Sequence, residues 1–219
     1  MVELTIISIF ILGYLIGKVL KVVILKFYQI YSKEGRGTNF LHFPIELSNA
    51  LIYIITYIYF GFTIQGVFIA LLFSILLGIC LIDFKFHIIP DSLNLVIFLL
   101  SIIYGFILLG LGEESMLDIF NRGYGLILGL SFFFLIAVVT KGAIGGGDIK
   151  LMGGLGFFFG FINTIGIIFF SFIIGGMISI LLLILKVITR YEFIPFGPFI
   201  CISAFIMALW GENIIEIFL

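Results

Sequence analysis

From Leu47 to Ile82 the chain runs for 36 residues without a charged side chain, and it does so again over the 35 residues from Leu151 to Leu185. Read as single helices rising 1.5 Å per residue, these runs would be about 54 and 52 Å long. That is nearly twice the roughly 30 Å hydrocarbon core of a bilayer. Each run must therefore fold back on itself. The expected breaks are Gly61–Gly66 in the first and Gly160-Phe161-Ile162-Asn163 in the second. Composition agrees with a membrane solvent: only 11% of the 219 residues are charged, against roughly 25% in soluble domains.

Charges and turn residues predict an all-α, polytopic transmembrane bundle. Spans are expected near 3–26, 44–61, 66–83, 92–111, 121–140, 148–160, 163–186 and 197–218. The count is about eight, or seven if the short piece 148–160 is only partly inserted. Lys26, Lys33, Arg36, Lys85, Lys141, Lys150, Lys186 and Arg190 fall in one set of loops. Glu3, Glu113, Glu114, Asp118, Glu212 and Glu216 fall in the other, with Arg122 as their only base. The positive-inside rule then places the basic loops in the cytoplasm and both termini outside. The longest polar loop, Tyr28 to His42, is basic and cytoplasmic on this reading.

Four acids stand apart from the loop acids: Glu46, Asp83, Asp91 and Asp148. Asp83 closes an apolar run in GICLIDFKFHIIPD, and Asp148 opens one after Gly145-Gly146-Gly147. Ionisable groups at span ends inside a bundle are costly and are functional candidates. Two complete spans separate Asp83 from Asp148, so both face the same side. Two neighbouring carboxylates share one proton. The ionised one can then take a proton from water while the other donates to a peptide carbonyl. The glycines remove side chains where a substrate backbone would approach, and permit positive φ before the helix. The bland alternatives are an N-cap role for Asp148 and a solvated boundary role for Asp83.

The remaining candidates each have two readings. Pro90 and Asp91 read as a helix start capped by Asp91 or Ser92, with Asp91 as a second catalytic acid the alternative. Lys150 is a snorkelling interface lysine or a substrate contact. Glu46, after Pro44, compensates a helix terminus or binds a cationic ligand. His42 and His87 are too isolated for a metal site, and Cys80 and Cys201 lie in apolar segments with no CxxC pair. No metal and no nucleic-acid partner is expected.

These motifs resemble the type IV prepilin peptidases, GxGD-type membrane aspartic peptidases. Asp83 to Asp91, DFKFHIIPD, is similar to the family's first motif. Gly145 to Leu151, GGGDIKL, is similar to its second, and FIPFGPFI, Phe193 to Ile200, to its closing segment. The resemblance implies a single membrane domain over 1–219. It would comprise a two-span part, 1–65, related to the family's methyltransferase-associated region, and a six-span peptidase core, 66–219. It implies catalysis by Asp83 and Asp148, with Gly145, Gly147, Lys150, Pro90 and Asp91 positioning substrate. The implied reaction removes the short basic leader of prepilins or pseudopilins at the cytoplasmic face of the inner membrane, and needs no cofactor. Many family members also methylate the new N-terminus with S-adenosylmethionine and carry two CxxC pairs in a longer first loop. Here the loop 27–43 is short and free of cysteine, so no zinc is expected. S-adenosylmethionine, with Glu46 as the associated residue, is expected only if methylation is retained. A presenilin-like intramembrane protease would fit the second motif alone, but Ile82 precedes Asp83 and no Pro-Ala-Leu occurs. A proton-coupled transporter could use the same acids, although no matched halves are present.

Overall fold

A computed structural model describes residues 2–31, 44–187, 189 and 192–218. All seven elements among them are α-helices: α1 (Val2–Tyr31), α2 (Ile45–Phe60), α3 (Ile64–Phe86), α4 (Asp91–Leu111), α5 (Met116–Val139), α6 (Gly146–Ile184) and α7 (Gly197–Phe218). Six of these are long and apolar enough to cross a membrane, and α2 is a shorter apolar helix. His42, Lys33, Arg36 and Arg190, with most of the expected basic loop, lie outside the described residues. The chain divides into two compact units, Met1–Phe86 and His87–Leu219.

In the first unit α1, α2 and α3 pack on one another. The α1–α2 seam is built on Gly13 and Gly17, a small-xxx-small pair that lets two backbones close up. A Cβ on Gly17 would stand 2.7 Å from the Cα of Glu46, and one on Gly13 would stand 2.9 Å from the Cα of Ala50. Asn49, fully buried, donates from Nδ2 to the Gly13 carbonyl at 2.8 Å. The seam thus gains a polar tie beside its van der Waals contact. Helix α1 outruns its expected end at residue 26 because Tyr28 and Tyr31 pack their rings on Phe86 of α3. The first long charge-free run breaks where expected, at the turn between Phe60 and Ile64.

The second unit is organised around α6, which contacts α4, α5 and α7. This helix is broken at Gly160, whose φ of 78° and ψ of 177° belong to a region open essentially to glycine. The break reverses the chain. Gly125 and Gly129 of α5 meet Gly156 and Met152, so the limb 146–159 runs opposite to α5. Asn121 of α5 touches Gly160, and twelve residues further along α5 Phe133 packs on Phe172, so the limb 161–184 runs with α5. The eight expected spans thus correspond to seven helices, one of them a hairpin.

Adjacent residues of α5 satisfy both sides of that break. Asn121 Oδ1 accepts the Phe161 N–H at 3.2 Å, at the start of the second limb. Arg122 donates from its guanidinium to the Phe157 and Phe158 carbonyls at the end of the first. Glu114 holds the same guanidinium through both carboxylate oxygens, with Nε to Oε2 at 2.9 Å, and the Tyr104 ring lies 4.9 Å from it. This corrects the placement of Arg122 as a loop base: it is buried within α5. The helix begins at residue 116 rather than 121 because Ser115 and Asp118 form a cap, the Ser115 N–H donating to Asp118 Oδ2 at 2.8 Å.

Candidate active site

Asp148 is the third residue of α6. Gly145 occupies the N-cap in an extended conformation, and its N–H donates to Asp148 Oδ2 at 3.2 Å. The carboxylate therefore reaches back over the helix start, where the peptide dipoles favour negative charge. It is buried, at 7% exposure. The bland alternative, Asp148 as the N-cap, is not met: Gly145 is the N-cap and Asp148 is the third helical residue.

The three glycines divide their work differently from the sequence reading. None of Gly145, Gly146 or Gly147 has a positive φ; that conformation falls earlier, at Gly142. Gly147 is required by packing, since a Cβ there would stand 2.8 Å from Ile89 Cβ and 3.2 Å from the Ile89 carbonyl oxygen. A Cβ on Gly145 would press on Asp148 Oδ2 at 3.2 Å. Only Gly146 borders open space. The segment before Pro90 is thus drawn against the turn that carries Asp148.

Pro90 caps α4 with extended backbone angles and Asp91 is the first helical residue. Neither Asp91 nor Ser92 is the N-cap, which corrects that expectation. Proline suits this place because its fixed φ needs no helical N–H. Asp91 instead accepts from Lys150 Nζ at 2.8 Å through both oxygens. Lys150 is therefore an inter-helix partner rather than a lone snorkelling lysine. The pair ties the start of α4 to the first turn of α6. Its side chains are 72% and 55% exposed, so it contributes geometry more than stability, about 0–1 kcal/mol.

One residue that sequence reasoning passed over joins this cluster. Asn94, one turn along α4 from Asp91, donates from Nδ2 to the Gly147 carbonyl at 3.1 Å. It is 4% exposed. An amide inside the apolar run after Asp91 was the available signal, since buried amides need partners.

Asp83 lies in the first unit, in the last turn of α3. The helix continues to Phe86, three residues past the expected end, so Asp83 is inside the helix rather than at its terminus. It is buried, at 5% exposure. Glu46, in the first turn of α2, accepts from Lys21 Nζ of α1 at 2.7 Å. The cation it binds in the described structure is thus its own neighbour. His87 sits edge-on to the Phe193 ring. Among the described residues no group of three or more His, Cys, Asp or Glu is placed to hold a metal ion.

The fold and site define a class: a multi-pass helical membrane protein with one buried acid at the head of a glycine-led helix and another in the last turn of a span. The family model for the type IV leader peptidases matches residues 70–180, just over half the chain, and takes in both Asp83 and Asp148. The chain belongs to that family. It is 33% identical over 162 residues to a prepilin leader peptidase/N-methyltransferase of Legionella pneumophila, covering 72% of this chain and 55% of the relative. A protein of the same description from Bacillus subtilis is 29% identical over 187 residues, covering 84% and 72%. Another from Pseudomonas aeruginosa is 33% identical over 178 residues, covering 80% and 60%. The chain therefore spans little more than half the length of two of these three relatives. No solved structure gives a significant match.

Proposed function

We propose that this protein is an aspartic endopeptidase that removes the short basic leader of prepilins or pseudopilins at the cytoplasmic face of the inner membrane. The observation that carries the reading is the family match, which spans two buried aspartates in the order and motif contexts of the leader peptidases. Family membership favours it over a presenilin-like protease or a proton-coupled transporter. A prepilin has a polar leader followed by an apolar helix, so its scissile bond would lie at the depth of acids at span ends.

The chemistry requires Asp83 and Asp148 to work as a pair holding one proton. The ionised carboxylate takes a proton from water as the oxygen attacks the peptide carbonyl carbon. The protonated carboxyl donates to the carbonyl oxygen, giving a neutral gem-diol. Collapse reforms the carbonyl, breaks the C–N bond and delivers a proton to the leaving amine. Either member can act as the water-activating carboxylate, because a coupled pair holds its single proton jointly. Gly146, with open space at its Cα, leaves room for substrate backbone beside it.

Co-expression with a prepilin tests this directly. Leader loss should be complete with the unaltered chain and fall by at least about a hundredfold with Asp83→Asn or Asp148→Asn, while both variants still insert. Normal processing by either variant removes that aspartate from the mechanism.

N-methylation appears in the relatives' names, and S-adenosylmethionine would supply the methyl group. Glu46, the residue the resemblance ties to that activity, is engaged by Lys21. We assign the peptidase step alone. Mass spectrometry of the mature N-terminus decides the point, because a single added methyl group would overturn the restriction.

A further inference from the structure

A cleft of about 470 Å³ opens in the second unit between α4, α5 and the first limb of α6. Two features set it apart from the apolar cavity of about 290 Å³ between the second limb of α6 and α7, which has no polar side chain in its lining. Its mouth carries the Asp91–Lys150 ion pair. One helical turn deeper lies Asn94, whose Nδ2 holds the Gly147 carbonyl while its Oδ1 is buried without a hydrogen-bond partner among the described residues. Below that the walls are Phe98, Leu126 and Leu130. From Asp91 to Phe98 is seven residues, about 10 Å along the helix axis.

A buried amide oxygen with no donor is costly and is expected to find one. The occupant that fits this cleft is therefore polar at the mouth, offers an N–H about one turn down, and is apolar below. A membrane helix entered from its polar end has that order. Its first four backbone N–H groups have no intrahelical acceptor. We propose that the cleft seats the start of the substrate's apolar helix, with Asn94 Oδ1 accepting one of those N–H groups. The inference rests on the function proposed above and deepens it. Asn94 would then bridge substrate and the Asp148 turn, since its other amide atom holds Gly147, the residue before Asp148. A substrate helix seated here would run beside α4 and α6 with its cut end at the glycine turn. The Asp91–Lys150 pair would lie where the helix passes into its polar leader. Asp91 and Lys150 then become determinants of how the leader is presented rather than proton carriers.

Photocrosslinking in intact membranes tests the seat. A photoreactive amino acid replaces Leu95 or Leu126, both lining the cleft, in the full chain carrying Asp148→Asn to hold substrate uncut. A control probe replaces Phe169 at the other cavity. Prepilin adducts from both cleft probes, competed by excess prepilin, with lipid adducts alone from the control, are expected. Lipid adducts alone from the cleft, while the parent chain still removes leaders, would overturn this inference and leave the function standing. Absence of leader removal by the parent chain would overturn both. As a second measure, Leu126→Trp fills the cleft and should raise KM for prepilin about tenfold; an unchanged KM counts against the proposal.

Discussion

The two places where a charge-free run breaks are built on opposite plans. Between α2 and α3 the turn sits at an exposed end and is closed by its own residues. The Gly61 N–H donates to the Tyr57 carbonyl at 2.8 Å, and Thr63 Oγ1 donates to the Phe60 carbonyl and accepts from the Gly66 N–H. At Gly160 the glycine is buried although its Asn121 side is exposed, and α5 supplies an acceptor and a donor on consecutive residues, the donor reaching the buried Phe158 carbonyl. Backbone groups freed inside a membrane protein must be satisfied by protein, because lipid offers nothing. A break at the surface can rely on water and its own side chains. The difference predicts that one break depends on single residues elsewhere in the chain and the other does not.

The strongest test is Arg122→Ala. It strands the Glu114 carboxylate, which is only 19% exposed, and frees two carbonyls at the end of the first limb. Removing one member of a buried ion pair costs about 3–5 kcal/mol. The expected result is a large fall in the thermal midpoint in detergent, with Arg122→Lys recovering only part because lysine cannot fork to both oxygens. The first limb also carries Asp148, so leader processing should fall with stability. A midpoint unchanged from the parent would show that the break is supported by helix packing alone.

How far the sequence could be read follows from this contrast. Both breaks were legible because length decides them: no bilayer accommodates about 50 Å of apolar helix. Asp148 and Asp83 stood out because acids are rare at span ends. The support for the second break was not legible, since Arg122 among Glu113, Glu114 and Asp118 looks like a charged loop. The Ser115–Asp118 cap starts α5 early and places Arg122 two turns inside the helix instead of at its first residues. Asn94 was hidden for the opposite reason: it is a single neutral amide in an apolar run, and its meaning depends on Gly147, 53 residues away. Of the two reasons the sequence suggested for the glycines at 145–147, a positive φ is not met at any of them. Close approach of Ile89, not a left-handed backbone, requires Gly147, and no local pattern reports a distant neighbour.

Next in size is Gly160→Ala. The backbone there is strained for any residue with a side chain, by about 1–3 kcal/mol, and a Cβ would stand 2.9 Å from Asn121 Nδ2. Displacing Asn121 would also free the Phe161 N–H. Thermal unfolding should register a loss of about 2–3 kcal/mol. Gly61→Ala sharpens the comparison. Its φ of 63° is similarly unfavourable, yet nothing lies within 4 Å of the added carbon. The loss there should be the smaller of the two, and equal losses would mean that backbone strain alone matters and the α5 contacts do not.

The smallest effect is expected from Thr63→Ala at the surface turn. Thr63 precedes α3 and its hydroxyl accepts the Gly66 N–H at 3.1 Å, an N-cap interaction. Replacing such a cap costs typically about 1 kcal/mol, and here exposure lets water take over part of the bond. A drop of about 0.5–1 kcal/mol in unfolding free energy is expected, with leader processing unaltered. A loss as large as that of Arg122→Ala would break the comparison, because it would mean that the turn between α2 and α3 is no more self-sufficient than the hairpin at Gly160. A small loss would locate the fragile joint of the fold in the second unit, on the helix that presents Asp148.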